Sequence, residues 1–194
     1  PLFRSEIIEL LKNKKAMLEG HFLLTSGRHS NIYIEKFRLL EDPILLDQIC
    51  KQIASKFINL KVDIVLGAAI GGILIAGGVG RYLNKKHIFT ERVNGNMELR
   101  RGFSIKPSDN VLIVEDIVTT GSSIFEMIDV VKKCKANIIN ISCIVNRSEE
   151  ELDIGYPFTS LLRLPAQSWE PDSIPDWLKN IPITSRGRTG KINE

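Results

Sequence analysis

The stretch VLIVEDIVTTGSS (residues 111–123) joins four apolar residues to two adjacent carboxylates, Glu115 and Asp116, and then to a hydroxyl-rich turn built on one glycine. A continuous apolar run bounded by turn signals reads as a strand buried on both faces, as in a parallel sheet covered by helices. In such sheets ligands bind beyond the carboxyl ends of the strands, where strand order reverses. The acids and the turn then stand where a ligand sits. Thr119, Thr120, Ser122 and Ser123 supply hydroxyls, Gly121 permits unusual backbone angles, and the amides curl into the first turn of the next helix. Such donors, backed by the positive end of a helix dipole, hold a phosphate. Carboxylates accept hydrogen bonds from vicinal sugar hydroxyls, so the ordered combination predicts a ribose phosphate site.

The flanks repeat the same strand-helix unit. VDIVLGAA (62–69) predicts a second buried strand, turned by Gly71-Gly72 into the helix ILIAGGVGRYLN. KHIFTERV predicts a strand, NGN a tight turn, and MELRRGF its antiparallel return. SIFEMIDVVKKC and NIINISCIVNR continue as helix and strand after the motif. Upstream, the spacing of Ile7, Ile8, Leu10, Leu11, Met17 and Leu18 predicts one helix, capped by Ser5 and ended by Gly20. HFLLTSGRHSNIYIEKF predicts two short strands around a Ser-Gly turn, and Asp42-Pro43 opens a helix with Leu45, Leu46, Ile49, Ile53 and Phe57 on its buried face. The whole is α/β, a doubly wound, mostly parallel sheet in a single domain over residues 1–194. From Asp153 proline and tryptophan become frequent, which predicts a strand and a short irregular cap, with the polar SRGRTGKINE frayed at the end.

Composition narrows the class. The 26 Lys and Arg against 23 Asp and Glu leave a net charge of +3, without a basic block, which argues against a nucleic-acid partner. Cys50, Cys134 and Cys143 lack CxxC spacing and lie in apolar patterns, so a reducing compartment is expected and structural zinc is not. PLFRSEIIELLKNKKAML is charged throughout, unlike a secretory leader, and no apolar run approaches the roughly 18 residues of a membrane span. A cytoplasmic enzyme or regulator is the expectation.

EDIVTTGSS after VLIV resembles the phosphoribosyl diphosphate (PRPP) motif of type I phosphoribosyltransferases. Four further blocks, GHFLLTSGRHSNIYIEKFRLLEDP, GAAIGG, FTERVNGNMELRRGF and IVNRSEEE, extend the similarity to orotate phosphoribosyltransferases over nearly the whole chain, and specifically to their shorter branch. The resemblance implies a small hood formed by residues 1–40 and 153–185. It implies that Glu115 and Asp116 take the ribose hydroxyls of PRPP, with Ile117, Val118, Thr119, Thr120, Gly121, Ser122 and Ser123 around its 5-phosphate. Ala69 and Gly71 of GAAIGG then face the diphosphate.

Thr119, Arg147 and Arg28 correspond to orotate contacts, and a guanidinium fork matches a planar carboxylate. Arg92, Arg100 and Arg101 lie in the segment of the family's catalytic loop, which implies that they act with Asp116 in catalysis, across a homodimer interface. His29 reads as structural or exposed. Mg2+ is implied as a cofactor carried by PRPP, with no dedicated metal ligands; PDSIP (171–175) replaces a cysteine pair found in many short-branch relatives. Longer-branch lysines are replaced by Thr25 and Gly71, so their contacts do not transfer. Two other readings remain open at this point: a phosphoribosyltransferase for another base, and a PRPP-sensing regulator without catalysis.

Overall fold

The computed structural model describes residues 4–24 and 26–185. Its elements run α1 (Arg4–Asn13), β1 (Met17–Leu23), β2 (His29–Ile34), α2 (Phe37–Leu40), α3 (Pro43–Ser55), β3 (Ile64–Ala68), α4 (Gly71–Leu83), β4 (Lys86–Val93), β5 (Asn96–Leu99) and β6 (Asn110–Val118). They continue through α5 (Ser122–Lys133), β7 (Asn137–Asn146), β8 (Phe158–Arg163), β9 (Ser168–Trp169), α6 (Asp176–Lys179) and β10 (Ile183–Ser185).

The larger sheet has the order β5-β4-β3-β6-β7-β8. All its pairings are parallel except the β4–β5 hairpin at one edge. The chain moves outward from β3 to β4 and then returns to lay β6 on the other side of β3. Strand order therefore reverses between β3 and β6, and a crevice forms beyond their carboxyl ends. Strand β6 is the registered centre: Leu112 and Val114 point into an apolar cluster shared with α1, α3 and α4, while Val111 and Ile113 point into a second one under α5. The period of two along a strand buried on both faces explains why every position of VLIV is apolar.

Helix α3 begins as its sequence predicts. The Asp42 carboxylate accepts from the amides of Ile44 and Leu45 at 3.0 Å, with Pro43 in the first turn. Leu45, Ile49, Ile53 and Phe57 are buried, and Leu46 packs at their margin. Helix α1 departs from expectation at both ends: Ser5 lies within it and does not cap it, and it stops at Asn13, so Met17, Leu18 and Gly20 belong to β1. Lys15 adopts φ +53° and the Ala16 amide donates to Leu11 O at 2.8 Å, a closure that satisfies the helix's last carbonyls without glycine. Asn84 and Lys135 end α4 and α5 in the same way, with φ of +53° and +57°. Met17 and Leu18 fit a helical spacing and a strand equally well, and pairing of β1 with β2 and β10 decides between them.

The segment 153–185 divides between two sheets. Strand β8 extends the large sheet beside β7. Strands β9 and β10 join β1 and β2 in a smaller sheet of order β10-β1-β2-β9, the hood, with α6 against β1. The hood is locked by polar groups. His21 and His29 are both buried, with Nε2 of the first 2.7 Å from Nδ1 of the second, and His21 Nδ1 lies 3.1 Å from Ile181 O. The fraying expected of SRGRTGKINE concerns residues 186–194, which lie outside the described residues. Cys50 and Cys143 are buried and all three cysteines are free. Among the described residues no helix is long and apolar enough to cross a membrane.

Ile53 is fully buried in the cluster beneath the hood, far in sequence from the motif. Ile53→Ala is expected to lower unfolding stability by about 2–5 kcal/mol, read by urea denaturation.

Candidate active site

Glu115 and Asp116 end the buried part of β6 and are themselves 7% and 3% exposed. Two adjacent carboxylates in so little water cannot both hold charge cheaply. Burial, reinforced by the charge of Asp116, pushes the Glu115 carboxyl up to about 8. Backbone amides fix the pair: Glu115 Oε1 accepts from the Asp116 amide at 3.0 Å, and Asp116 Oδ1 from the Ile117 amide at 2.6 Å. Asp116 Oδ2 is turned toward the β3–α4 turn, where a Cβ added to Gly71 would sit 1.7 Å from it. Only glycine leaves that space. The Ala69 amide of the same turn donates to Thr90 O at 2.8 Å.

Beyond the acids the chain forms the predicted cradle. The backbone of residues 117–124 surrounds a concavity of about 240 Å³ that opens to solvent. Gly121 takes φ +78° at the N-cap of α5, and no side chain caps that helix. Its first amides are left for a ligand, and the helix dipole adds a partial positive charge. Thr119, Thr120 and Ser122 are exposed at the rim, with Ser123 half-buried. The Ile117 amide is already used by Asp116, and Val118 O accepts from Arg147.

Arg147 follows β7 and its amide donates to Val118 O at 2.7 Å, which sets it beside the strand end that carries the cradle. Its side chain turns toward the hood and Nη2 donates to Ile32 O at 3.2 Å. The residue is 7% exposed, and Nε is buried without a hydrogen-bond partner. Burial draws its pKa down, with Tyr33 acting in the opposite sense. Among the described residues no carboxylate pairs with this guanidinium. A buried cation with an unused donor is costly unless an anion completes it.

The remaining candidates are held elsewhere. Arg92 Nη2 lies 2.8 Å from Glu126 on α5, and its Nη1 donates to Gly95 O at 2.5 Å. Arg101 makes a two-pronged contact with Glu91, 2.9 Å for each nitrogen, and holds that carboxyl below its ordinary range. Arg100 is exposed on the same hairpin. Arg92 and Arg101 therefore have partners on the hairpin and on the flank of α5, not in the cradle. Arg28 binds the tail: Nε donates to Ser168 Oγ at 2.8 Å, Nη2 to Ser168 O at 2.9 Å, and Nη1 pairs with Glu170. It clasps β2 to β9. Thr25, one position of the absent lysines, lies outside the described residues.

One site residue was missed by sequence reasoning. Lys36, between β2 and α2, brings Nζ to 2.8 Å from Asp116 Oδ2. The approach is off the hydrogen-bonding direction, since Oδ2 has no hydrogen-bond partner, so the contact is Coulombic. Nothing local in EKF marks that lysine, because the separation in sequence is bridged only by the fold. Among the described residues no group of three or more His, Cys, Asp or Glu is placed to hold a metal ion. A hard cation carried by a phosphorylated substrate would not need such a group.

The concave turn lies at the switch point of a doubly wound, mostly parallel sheet, and residues 39–173 match the family model of the phosphoribosyl transferase domain, which defines the class as phosphoribosyltransferase. Similarity to the orotate phosphoribosyltransferase of Chlorobium phaeobacteroides is 42% identity over 181 residues, covering 93% of this chain and 94% of that one. That of Thermotoga maritima is 40% identical over 184 residues, covering 95% and 98%. The solved orotate phosphoribosyltransferase of Aeropyrum pernix superposes with a TM-score of 0.69 at 26% identity, over 81% of this chain and 93% of that one. The chain belongs to the orotate phosphoribosyltransferase family.

Gly71→Ala is expected to weaken PRPP binding more than tenfold while leaving the circular dichroism spectrum intact, because the new methyl would occupy the position of Asp116 Oδ2. Titration calorimetry with PRPP and Mg2+ measures it.

Proposed function

We propose that the protein transfers the 5-phosphoribosyl group of PRPP to N1 of orotate, releasing pyrophosphate and forming orotidine 5′-monophosphate, in the de novo route to UMP. The observation that carries the choice of base is Arg147: a buried guanidinium beside the cradle with an unused Nε donor and no carboxylate partner among the described residues. Orotate brings a planar carboxylate to complete it. Uracil and adenine bring none. Thr119, at the turn between cradle and Arg147, is assigned to the same base.

In this reading the bond from the anomeric carbon to pyrophosphate breaks as the bond to orotate N1 forms, through a cationic sugar. The protein contributes position and charge, and no side-chain nucleophile is required. The cradle fixes the 5-phosphate and the Asp116 carboxylate orients the ribose hydroxyls. Gly71 and the neighbouring amides of the β3–α4 turn admit the diphosphate. Mg2+ carried on the oxygens of PRPP would supply neutralisation of the departing diphosphate, with no residue of this chain assigned as its ligand. The loop arginines Arg92, Arg100 and Arg101 serve the site of the partner subunit in a cytoplasmic homodimer. Arg28 serves orotate only on release from Glu170.

Loss of orotate absorbance on mixing with PRPP and Mg2+, with uracil and adenine as controls, tests the assignment. Turnover of orotate alone is expected. Tight PRPP binding without orotate turnover would instead mark a sensor, and turnover of adenine a different transferase. Arg147→Ala is expected to raise the KM for orotate by about 30- to 100-fold, the loss of a charge-assisted hydrogen bond, with PRPP affinity near that of the wild type. Asp116→Asn is expected to lower kcat/KM at least about 100-fold, whereas Cys134→Ser leaves it within about twofold.

A further inference from the structure

Lys36 enters the site from the hood side and belongs to none of the blocks that define the cradle. Its backbone is rigid: it is the N-cap of α2, whose Leu39 and Leu40 are 1% and 5% exposed in the core. The amides of both leucines donate to Lys36 O, at 3.0 and 3.2 Å. The stem passes Phe37, with Nζ 5.6 Å from the ring centroid, so the path of the side chain is constrained as well. From there the ammonium reaches an oxygen of a carboxyl group that is itself nearly inaccessible.

Two distances meet at that oxygen. Asp116 Oδ2 lies 2.8 Å from Nζ and 1.7 Å from where a Gly71 side chain would begin. The ammonium therefore stands at the β3–α4 turn and holds the carboxylate into the gap that glycine leaves. The other oxygen, Oδ1, is occupied by the Ile117 amide. The contact with the lysine is not a hydrogen bond, so the hydrogen-bonding capacity of the buried Oδ2 is unspent.

We propose that Lys36 is a positioning residue for the phosphoribosyl donor: its ammonium holds Asp116 as a correctly turned acceptor for a ribose hydroxyl of PRPP. This rests on the assignment of the acid pair to PRPP, and it is independent of the base. The groups facing the pair account for the need. Glu115 is adjacent on β6, and the Cys143 thiol on β7, beside Glu115 in register, is pushed far up by burial and by the two acids. Gly71 of α4 contributes no charge. Lys36 is the cation in contact with Asp116, and it also favours ionisation of Glu115 against burial.

The test is titration calorimetry of PRPP with Mg2+, without orotate, on the full-length wild type, Lys36→Met and Lys36→Arg between about pH 6 and 9. Lys36 is 38% exposed in its side chain, so neither variant threatens the core. Removing a cation disfavours the ionised carboxylates, so the pair keeps its proton to higher pH and binding is lost sooner on acidification. Lys36→Met is expected to weaken PRPP binding on the order of tenfold near neutrality and to move the acid limb upward by about one pH unit. Lys36→Arg restores both, and kcat with saturating PRPP changes less than KM.

An unmoved acid limb overturns the proposal. If affinity is also unchanged, the lysine has no role at the site; if affinity falls, the ammonium contacts the diphosphate instead of setting Asp116. Failure of Lys36→Arg to restore binding overturns it too. Because binding is read without orotate, an error in the choice of base leaves the test intact, and absence of PRPP binding by the wild type would refute the ribose phosphate assignment itself.

Discussion

Burial of two neighbouring carboxylates at the end of a strand is the constraint around which the rest of the molecule is arranged. Strand β6 must be central, flanked by β3 and β7 and covered on both faces, for its end to be fixed. That same burial strips water from Glu115 and Asp116. The structure answers with backbone amides, with a glycine that makes room for Asp116, and with a lysine brought from the hood. Each answer comes from a different part of the chain, so the site exists only when the large sheet and the hood are both in place.

The same logic governs Arg147. Arg147 is pinned by its amide to Val118 and by its side chain to Ile32, so the cradle strand and the hood strand converge on one guanidinium. The hood is in turn tied down by the His21–His29 pair and by the Arg28 clasp to Ser168 and Glu170. The histidine pair is buried, but the Arg28 clasp is polar and partly exposed, which makes it weaker than the apolar clusters beneath. A lid over a binding crevice is drawn from the less stable end of a structure.

Much of this was legible in sequence because it is local. The strand, the acids and the hydroxyl turn are contiguous, and apolar runs with glycine turns marked β3, α4, β4, β5, α5 and β7 at nearly their observed places. Asp42-Pro43 marked α3 through a cap that needs no distant partner. Where the reading failed, the deciding interaction was non-local. Met17 and Leu18 suit either period, and their pairing with β2 made them strand. Lys15 closes α1 at positive φ where Gly20 was expected to end it, and Asn84 and Lys135 close α4 and α5 in the same conformation. β8 gave no sign of which sheet it would join until it registered against β7.

By itself, then, the sequence determined a doubly wound sheet with an acid pair and a hydroxyl-rich turn at one strand end, since hydrophobic period and turn chemistry act over a few residues. Tertiary structure alone decided that Lys36 stands on Asp116, that Arg147 is buried with no carboxylate partner among the described residues, and that Arg28 is spent on the tail. Charges act through space. Lys36 and Asp116 lie on different elements, and only packing of the hood over the switch point brings an ammonium within reach of a carboxylate that burial has left with few partners.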